Sequence, residues 1–351
     1  MLEVDLRVAR RMFDVAATFT VTDGERLALF GPSGSGKTTI LEAVAGLLAV
    51  AEGRILLGGR ELTLAGRAER AHRLPLWARE VALLRQDPGL FPHLTVLQNL
   101  TYAVGRHDDG ELARLVQSLH LGGLLSDSPR RISGGQAQRV ALGRALISRH
   151  RVLLLDEPYT GLDAPLQREL TQLVRDQVAA REVPAVLVAH ELTQAQAFAD
   201  RLGVLDQGRV LQLGTPSEVV RHPATPRVAE LLGYRGLIPV IVLGRPLLAA
   251  VHPERVCFGA RPERGPVVEG RVVAGRPSGT GWEVDVEIAP SMPAAAAPGR
   301  GGGSGVAPRP RLSFRSSELP AGSGTDVVLT LLDPPLFARA AVDGARPPDT
   351  A

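Results

Sequence analysis

The chain is poor in the residues that several protein classes require. Among 351 residues there is one cysteine, Cys257, which excludes a disulfide framework and a cysteine-rich zinc module and fits a reducing compartment. Aromatic residues make up only 4% of the chain, too few for the stacking platforms that hold single-stranded nucleic acid. No apolar run is long enough to cross a membrane. The longest uncharged stretch, Pro88 to Gly105, holds two prolines, His93, Gln98 and Asn99, which hydrocarbon does not accept in a spanning helix. The first residues, MLEVDLRVARRMFDV, are charged throughout and lack the apolar segment of a secretion signal. Lysine is nearly absent too: of 40 basic residues only Lys37 is not arginine. A chain that elsewhere uses arginine keeps its one lysine where a compact ammonium is needed.

What is present is ordinary globular material, 44% hydrophobic and 22% charged, long enough for two domains. The net charge is +3, a small excess that argues against nucleic acid as a partner. Residues 1 to about 225 alternate strands and helices. Arg26–Phe30, Glu80–Arg85, Arg151–Asp156, Pro184–Ala189 and Leu202–Asp206 read as strands, and 37–48, 111–121, 135–147, 164–180 and 191–200 as helices. Continuous apolar strands between helices predict an α/β fold with a mostly parallel sheet. After about residue 230 the pattern becomes short β-rich pieces, at 238–243, 267–274, 282–288, 310–315 and 326–332. These predict a small all-β barrel or sandwich over 231–340, with 289–310 a low-complexity flexible loop and 341–351 a disordered tail.

Gly31-Pro32-Ser33-Gly34-Ser35-Gly36-Lys37-Thr38 follows an apolar strand and opens a helix, the context in which G-x-x-x-x-G-K-[ST] cradles phosphate. Glycines let backbone N–H groups curve around the anion, and the helix N-terminus adds further donors. Lys37 supplies a point charge to the β- and γ-phosphates, the Thr38 hydroxyl can ligate Mg²⁺, and Thr39 completes the predicted nucleotide set. Downstream, Val152–Leu155 ends in Asp156, Glu157 and Pro158. A carboxylate at the C-terminal end of a buried strand faces the ligand side of an open sheet. Asp156 is therefore a candidate Mg²⁺ ligand and Glu157 a candidate general base toward water. A guanine-reading N-K-x-D element is impossible, because the only lysine is already in the loop.

Ile132-Ser133-Gly134-Gly135-Gln136 closely resembles the signature motif of ABC-type ATPases. Gln86 resembles their Q-loop glutamine, Gly161-Leu162-Asp163 their D-loop, and His190 their switch histidine. The motifs stand in the family's order over about 220 residues. The resemblance implies a P-loop ATPase domain with a helical subdomain over 1–230, hydrolysing ATP with Mg²⁺ held by Thr38, Gln86 and Asp156. It further implies that Glu157, His190 and Gln86 serve catalysis. Two chains would associate head to tail, each lending Ser133, Gly134, Gly135, Gln136 and Asp163 to the other's nucleotide. From the residues themselves, Ser133 and Asp163 also read as helix caps. The family's usual adenine-stacking aromatic is missing from the window Leu6–Arg11, with Phe13 nearby.

A single ATPase unit without spans implies a peripheral subunit on the cytoplasmic face of a membrane. Its partners would be integral permease subunits and, indirectly, a periplasmic or lipoprotein solute-binding protein. Asp87–Val96 resembles the segment that receives a permease helix in importers, with Phe91 and Leu94 lining the groove. The C-terminal region resembles the oligosaccharide-binding-like accessory domain (MOP/TOBE-like) of importer ATPases. The compact N-terminus and layout are most similar to molybdate importers, where that domain binds an oxyanion. Relatives carrying sulfate, iron, polyamines or sugars share the architecture. Soluble ABC ATPases acting on ribosomes or DNA carry paired ATPase units or coiled-coil insertions, and neither is visible.

Overall fold

The computed structural model describes residues 1–66, 71–104, 108–148, 150–243, 245–279, 281–289, 310–317 and 323–338. Most of the low-complexity segment and the expected tail lie outside these residues. The chain forms two compact units, Met1–Val219 and Val220–Ala351.

The first unit runs β1 (Leu2–Val8), β2 (Val15–Val21), β3 (Arg26–Phe30), α1 (Lys37–Ala45), β4 (Glu52–Leu57), β5 (Arg60–Ala65), β6 (His72–Arg73) and β7 (Val81–Leu84). It continues with α2 (Val96–Thr101), α3 (Asp109–Ser118), α4 (Gly134–Ile147), β8 (Val152–Asp156), α5 (Ala164–Arg181), β9 (Ala185–Ala189), α6 (Leu192–Phe198), β10 (Arg201–Asp206) and β11 (Arg209–Gly214). Helix α7 (Pro216–Arg221) spans the division between units. One sheet joins all eleven strands in the order β6-β5-β4-β1-β2-β11-β10-β3-β9-β8-β7. Strands β10, β3, β9, β8 and β7 are parallel neighbours. Every residue of β8 and β9 is buried, which is why both read as unbroken apolar runs. Strands β1 and β2 instead alternate, with Leu2, Val4, Leu6 and Val8 turned into the core, a period-two signal.

Helix α1 is three residues shorter than expected. It ends at Ala45 because Gly46 takes φ 88, and the Gly46 N–H bonds back to the Ala43 carbonyl. Arg79, fully buried, closes this end by donating to the carbonyls of Val44 and Leu74 and to Thr63 Oγ1, at 3.0, 3.0 and 2.8 Å. Arg73 donates to the Gly46 carbonyl. Two guanidiniums thus sit at the negative end of the helix whose N-terminus follows the glycine-rich loop.

The second unit comprises α8 (Pro226–Leu231), β12 (Leu237–Val242), β13 (Arg245–Ala250), β14 (Val256–Phe258), β15 (Val267–Ser278), β16 (Gly281–Ile288), β17 (Arg311–Ser316), β18 (Asp326–Leu331) and β19 (Leu336–Ala338). Two antiparallel sheets, β12-β13-β19 and β14-β18-β15-β16-β17, enclose one core that includes Val240, Val268, Val284, Leu312, Phe314 and Leu329. Strand β15 runs past its expected end at residue 274. A bulge between Val272 and Ala274 restores its register against β16.

Candidate functional site

The parallel strands end on one side of the sheet, and the predicted residues leave from there. Phe30 ends β3 and feeds the glycine-rich loop, Leu84 precedes Gln86, Asp156 ends β8, and Ala189 ends β9 before His190. A cavity of about 440 Å³ opens where they converge, lined by Ser33, Gly34, Gly36, Lys37, Thr38, Thr39, Gln86, Glu157 and His190.

The loop is shaped as a cradle for an anion. Gly34 and Gly36 have φ 79 and 105, conformations that any side chain would strain. A Cβ on Gly31 would lie 2.0 Å from the Leu205 carbonyl oxygen, and one on Gly36 would lie 2.8 Å from Val15. Lys37 is buried and donates to the Gly31 and Pro32 carbonyls at 2.8 Å each. Burial pushes its pKa down, against the pull of Glu157 and Asp156. The Ser35 hydroxyl is buried without a hydrogen-bond partner among the described residues. A buried cation held by neutral carbonyls and an orphaned hydroxyl at a helix N-terminus fit a bound phosphate.

On the carboxylate side, Thr38 Oγ1 donates to Asp156 Oδ1 at 3.1 Å. Burial raises the Asp156 pKa, and the Thr38 hydrogen bond lowers it. These two hard oxygen donors, beside the Gln86 amide at the cavity wall, suit Mg²⁺. Glu157 has φ 48, a left-handed backbone of order 1 kcal/mol or more in cost for a residue with a side chain. That turn directs its carboxylate into the cavity rather than along the strand. Its Oε2 lies 3.3 Å from His190 Nδ1 and accepts a long contact of 3.5 Å from Gln86 Nε2.

Thr39 is placed differently from the rest of its motif: its hydroxyl accepts a hydrogen bond from Arg10 Nη2 at 3.1 Å. Phe13 does not line the cavity. Its ring packs on the core and against Gly208.

The Ser133 turn does not line the cavity either. Ser133 caps α4 in a reciprocal pair, its Oγ accepting from Gln136 N at 3.2 Å and its N–H donating to Gln136 Oε1 at 2.7 Å. Asp163 caps α5, its Oδ1 accepting from Leu166 N at 2.9 Å. The two turns meet within the chain: a Cβ on Gly135 would touch the Gly161 carbonyl oxygen and Leu162 at 3.2 Å. Gln167, not anticipated from the sequence, donates to the Tyr159 and Leu162 carbonyls at 3.3 and 2.9 Å and fixes the loop before Asp163.

In the segment after Gln86, Phe91 packs at a tilt on Tyr102 with centroids 4.2 Å apart, and the Arg144 guanidinium lies 5.5 Å from the Phe91 ring centre. They line a groove of about 260 Å³ with Val81, Leu83 and His150. Leu94, expected in the groove, is not part of its lining. The loop is held by Asn99, fully buried, whose amide donates to the Phe91, Leu94 and Thr95 carbonyls. An asparagine inside an apolar helix stretch is the sequence signal that marks it.

A phosphate cradle, oxygen donors for Mg²⁺ and a carboxylate turned toward them define a P-loop nucleoside triphosphatase. A family model described as ABC transporter matches residues 16–160. The sn-glycerol-3-phosphate import ATP-binding protein of Cereibacter sphaeroides is 34% identical over 82% of this chain and 84% of its own length. The Fe(3+) ions import ATP-binding protein of Mesorhizobium japonicum is 39% identical over 64% of this chain and 62% of its own length. A solved structure of the ATP-binding subunit of an ABC transporter superposes with a TM-score of 0.54 at 29% identity, over 63% of this chain and 92% of that one. The chain belongs to the ABC transporter family, as an ATPase of the importer type. Among the described residues no helix is long and apolar enough to cross a membrane.

Proposed function

We propose that this chain is the energy-coupling subunit of a solute importer. It works as a homodimer on the cytoplasmic face of a membrane, bound to permease subunits that receive solute from a binding protein. The observation that carries the catalytic part is the convergence of Gln86, Glu157 and His190 on the cavity that also holds Lys37 and Thr38. A triphosphate in the cradle of Gly31 to Thr39 presents its terminal phosphorus to that trio. Glu157 takes a proton from water as the water oxygen bonds to the γ-phosphorus and the bridging bond to the β-phosphate breaks. His190, beside the Glu157 carboxylate, orients it. Thr38, Asp156 and Gln86 would hold Mg²⁺, which neutralises charge on the β- and γ-phosphates.

Ser133, Gly134, Gly135, Gln136 and Asp163 act on a second copy's nucleotide. Their separation from the cavity within one chain supports this, since the capped α4 N-terminus still offers amide donors to an anion from outside. ATP then closes the dimer and hydrolysis reopens it, biasing the permease between two states. The Phe91–Tyr102 groove receives a permease helix.

The relatives named above import iron(III) and sn-glycerol-3-phosphate, so import of a solute other than molybdate has more support than molybdate itself. The molybdate reading keeps only the compact N-terminus and the chain layout. Oxyanion binding by the second unit gains nothing from its described cavity, which presents Glu269, Glu287 and Asp326 against a single cation, Arg271, already paired with Asp326 at 2.8 Å.

Glu157→Gln tests the catalytic reading. Turnover is expected to fall by about 10³-fold, with ATP binding kept and ATP-dependent dimers accumulating in sedimentation. Hydrolysis at the original rate would remove Glu157 as the base.

A further inference from the structure

The cavity has a chemical direction. Gln86, Glu157 and His190 stand where the terminal phosphate is cleaved, and Thr38 belongs to that end through its bond to Asp156. A nucleotide laid along the loop therefore carries its nucleoside out past the remaining lining residue on α1, Thr39. Apart from the His190 imidazole at the hydrolysis end, no lining residue has a ring. Phe13 is committed to the core, and Met12 is 92% exposed. The side chain that does stand at the Thr39 rim is Arg10, tethered through Nη2 to Thr39 Oγ1 at 3.1 Å. Arg10 forms no ion pair among the described residues, so the faces of its planar guanidinium are not taken by a carboxylate.

We propose, resting on the ATPase reading above, that Arg10 is the stacking surface for the nucleotide's base. The hydrogen bond to Thr39 tethers the guanidinium at the pocket mouth, and the base lies on its face. Guanidinium–π stacking uses the base's face and reads none of its edges. The site accordingly takes a nucleoside triphosphate with little regard to the base.

Three observations would follow, each read as binding of imido analogues of ATP and GTP, and of inorganic tripolyphosphate, to the full-length chain with Mg²⁺. The unaltered protein binds the ATP and GTP analogues within about tenfold of each other. Arg10→Ala weakens both by about tenfold, the loss of one stack of roughly 1.4 kcal/mol, and leaves tripolyphosphate within twofold. Arg10→Tyr restores nucleotide affinity, because a ring can stack, and Arg10→Lys does not, because an ammonium has no plane.

A phosphate contact gives the opposite pattern. Tripolyphosphate then weakens in Arg10→Ala as much as the nucleotides do, and Lys rescues where Tyr fails. Either result overturns the proposal, as does unchanged nucleotide affinity in Arg10→Ala. If the unaltered chain binds neither nucleotide nor tripolyphosphate, the ATPase reading falls as well.

Discussion

In the first unit Lys37, Arg79, Asp156 and Asp206 are all buried, whereas among the described residues of the second unit no charged side chain is buried, only the hydroxyl-bearing Thr330 and Tyr234. The first unit takes charge out of water and holds it with carbonyls, hydroxyls and opposite charges. The second packs Val, Leu, Ile and Phe between two sheets and leaves its acids and arginines in solvent. Buried charge is costly and does little for stability compared with apolar packing. Its concentration around the phosphate cradle, and behind it at the end of α1, indicates a unit shaped by its ligand. The second unit is shaped by packing.

The largest expected effect lies in the second unit. Phe314 is 1% exposed in the core between the sheets. Phe314→Ala removes about 3–5 kcal/mol through lost burial and an unfilled cavity. The chain has two tryptophans, Trp77 in the first unit and Trp282 in the second, so in a Trp77→Phe background the fluorescence reports the second unit alone. Its denaturation midpoint should fall steeply with the second substitution. A shift under 1 kcal/mol would mean that the apolar core is not what holds this unit together.

Arg79 sharpens the contrast from the other side. Burial brings its pKa down to about 10, so it remains charged at neutral pH and has to be satisfied where it sits. Arg79→Met keeps much of the volume and strands the Val44 and Leu74 carbonyls and Thr63 Oγ1 without donors. The expected cost to the first unit is about 3 kcal/mol, read as a loss in its denaturation midpoint. The same substitution loosens the far end of α1. Nucleotide affinity should therefore weaken although Arg79 touches no ligand, and unaltered affinity would sever that link.

Arg79 also marks where sequence reasoning stops. Lys37 stood out because it is the only lysine, but among 39 arginines, the 40 basic residues less Lys37, nothing distinguishes the one that is fully buried. The placement at the strand ends was legible: Gln86, Asp156, Glu157 and His190 each stand at or just beyond an apolar run whose direction sends them to one side of the sheet. The left-handed turn at Glu157 was not, because no local pattern compels a glutamate into positive φ. Nor was the Arg10–Thr39 contact, which depends on how the β1–β2 connection folds over α1. The alternation of β1 and β2 is written in the residues themselves, apolar and polar by turns. The all-β second unit was readable as short alternating pieces. Pairing such as β13 with the distant β19 depends on long-range closure that no local pattern encodes.

The smallest effect concerns one histidine in each unit, and it tests whether the second unit is as free of buried-charge cost as its core suggests. Burial lowers the pKa of His150 in the first unit, against an attraction from Glu80 and a backbone hydrogen bond to Ser148. Burial likewise lowers His252 in the second, with Glu254 raising it and Arg255 lowering it. A histidine whose folded pKa is depressed contributes stability that is fully present above its unfolded value, near 6.5, and is lost as pH falls through the folded pKa. Geometry also opposes protonation of His252: its Nδ1 accepts the Glu254 N–H at 3.3 Å, which a protonated Nδ1 cannot do, and its ring packs edge-on to Tyr234 at 5.2 Å. Between pH 7 and 5 both units should weaken. His252→Gln, neutral throughout, should flatten that slope for the Trp282-reported transition and leave the first unit's slope unchanged. His150→Gln should do the converse. If the His252→Gln slope runs parallel to that of the unaltered chain, the second unit's acid sensitivity arises in its solvated carboxylates, and the two units differ in buried charge even more completely than their cores imply.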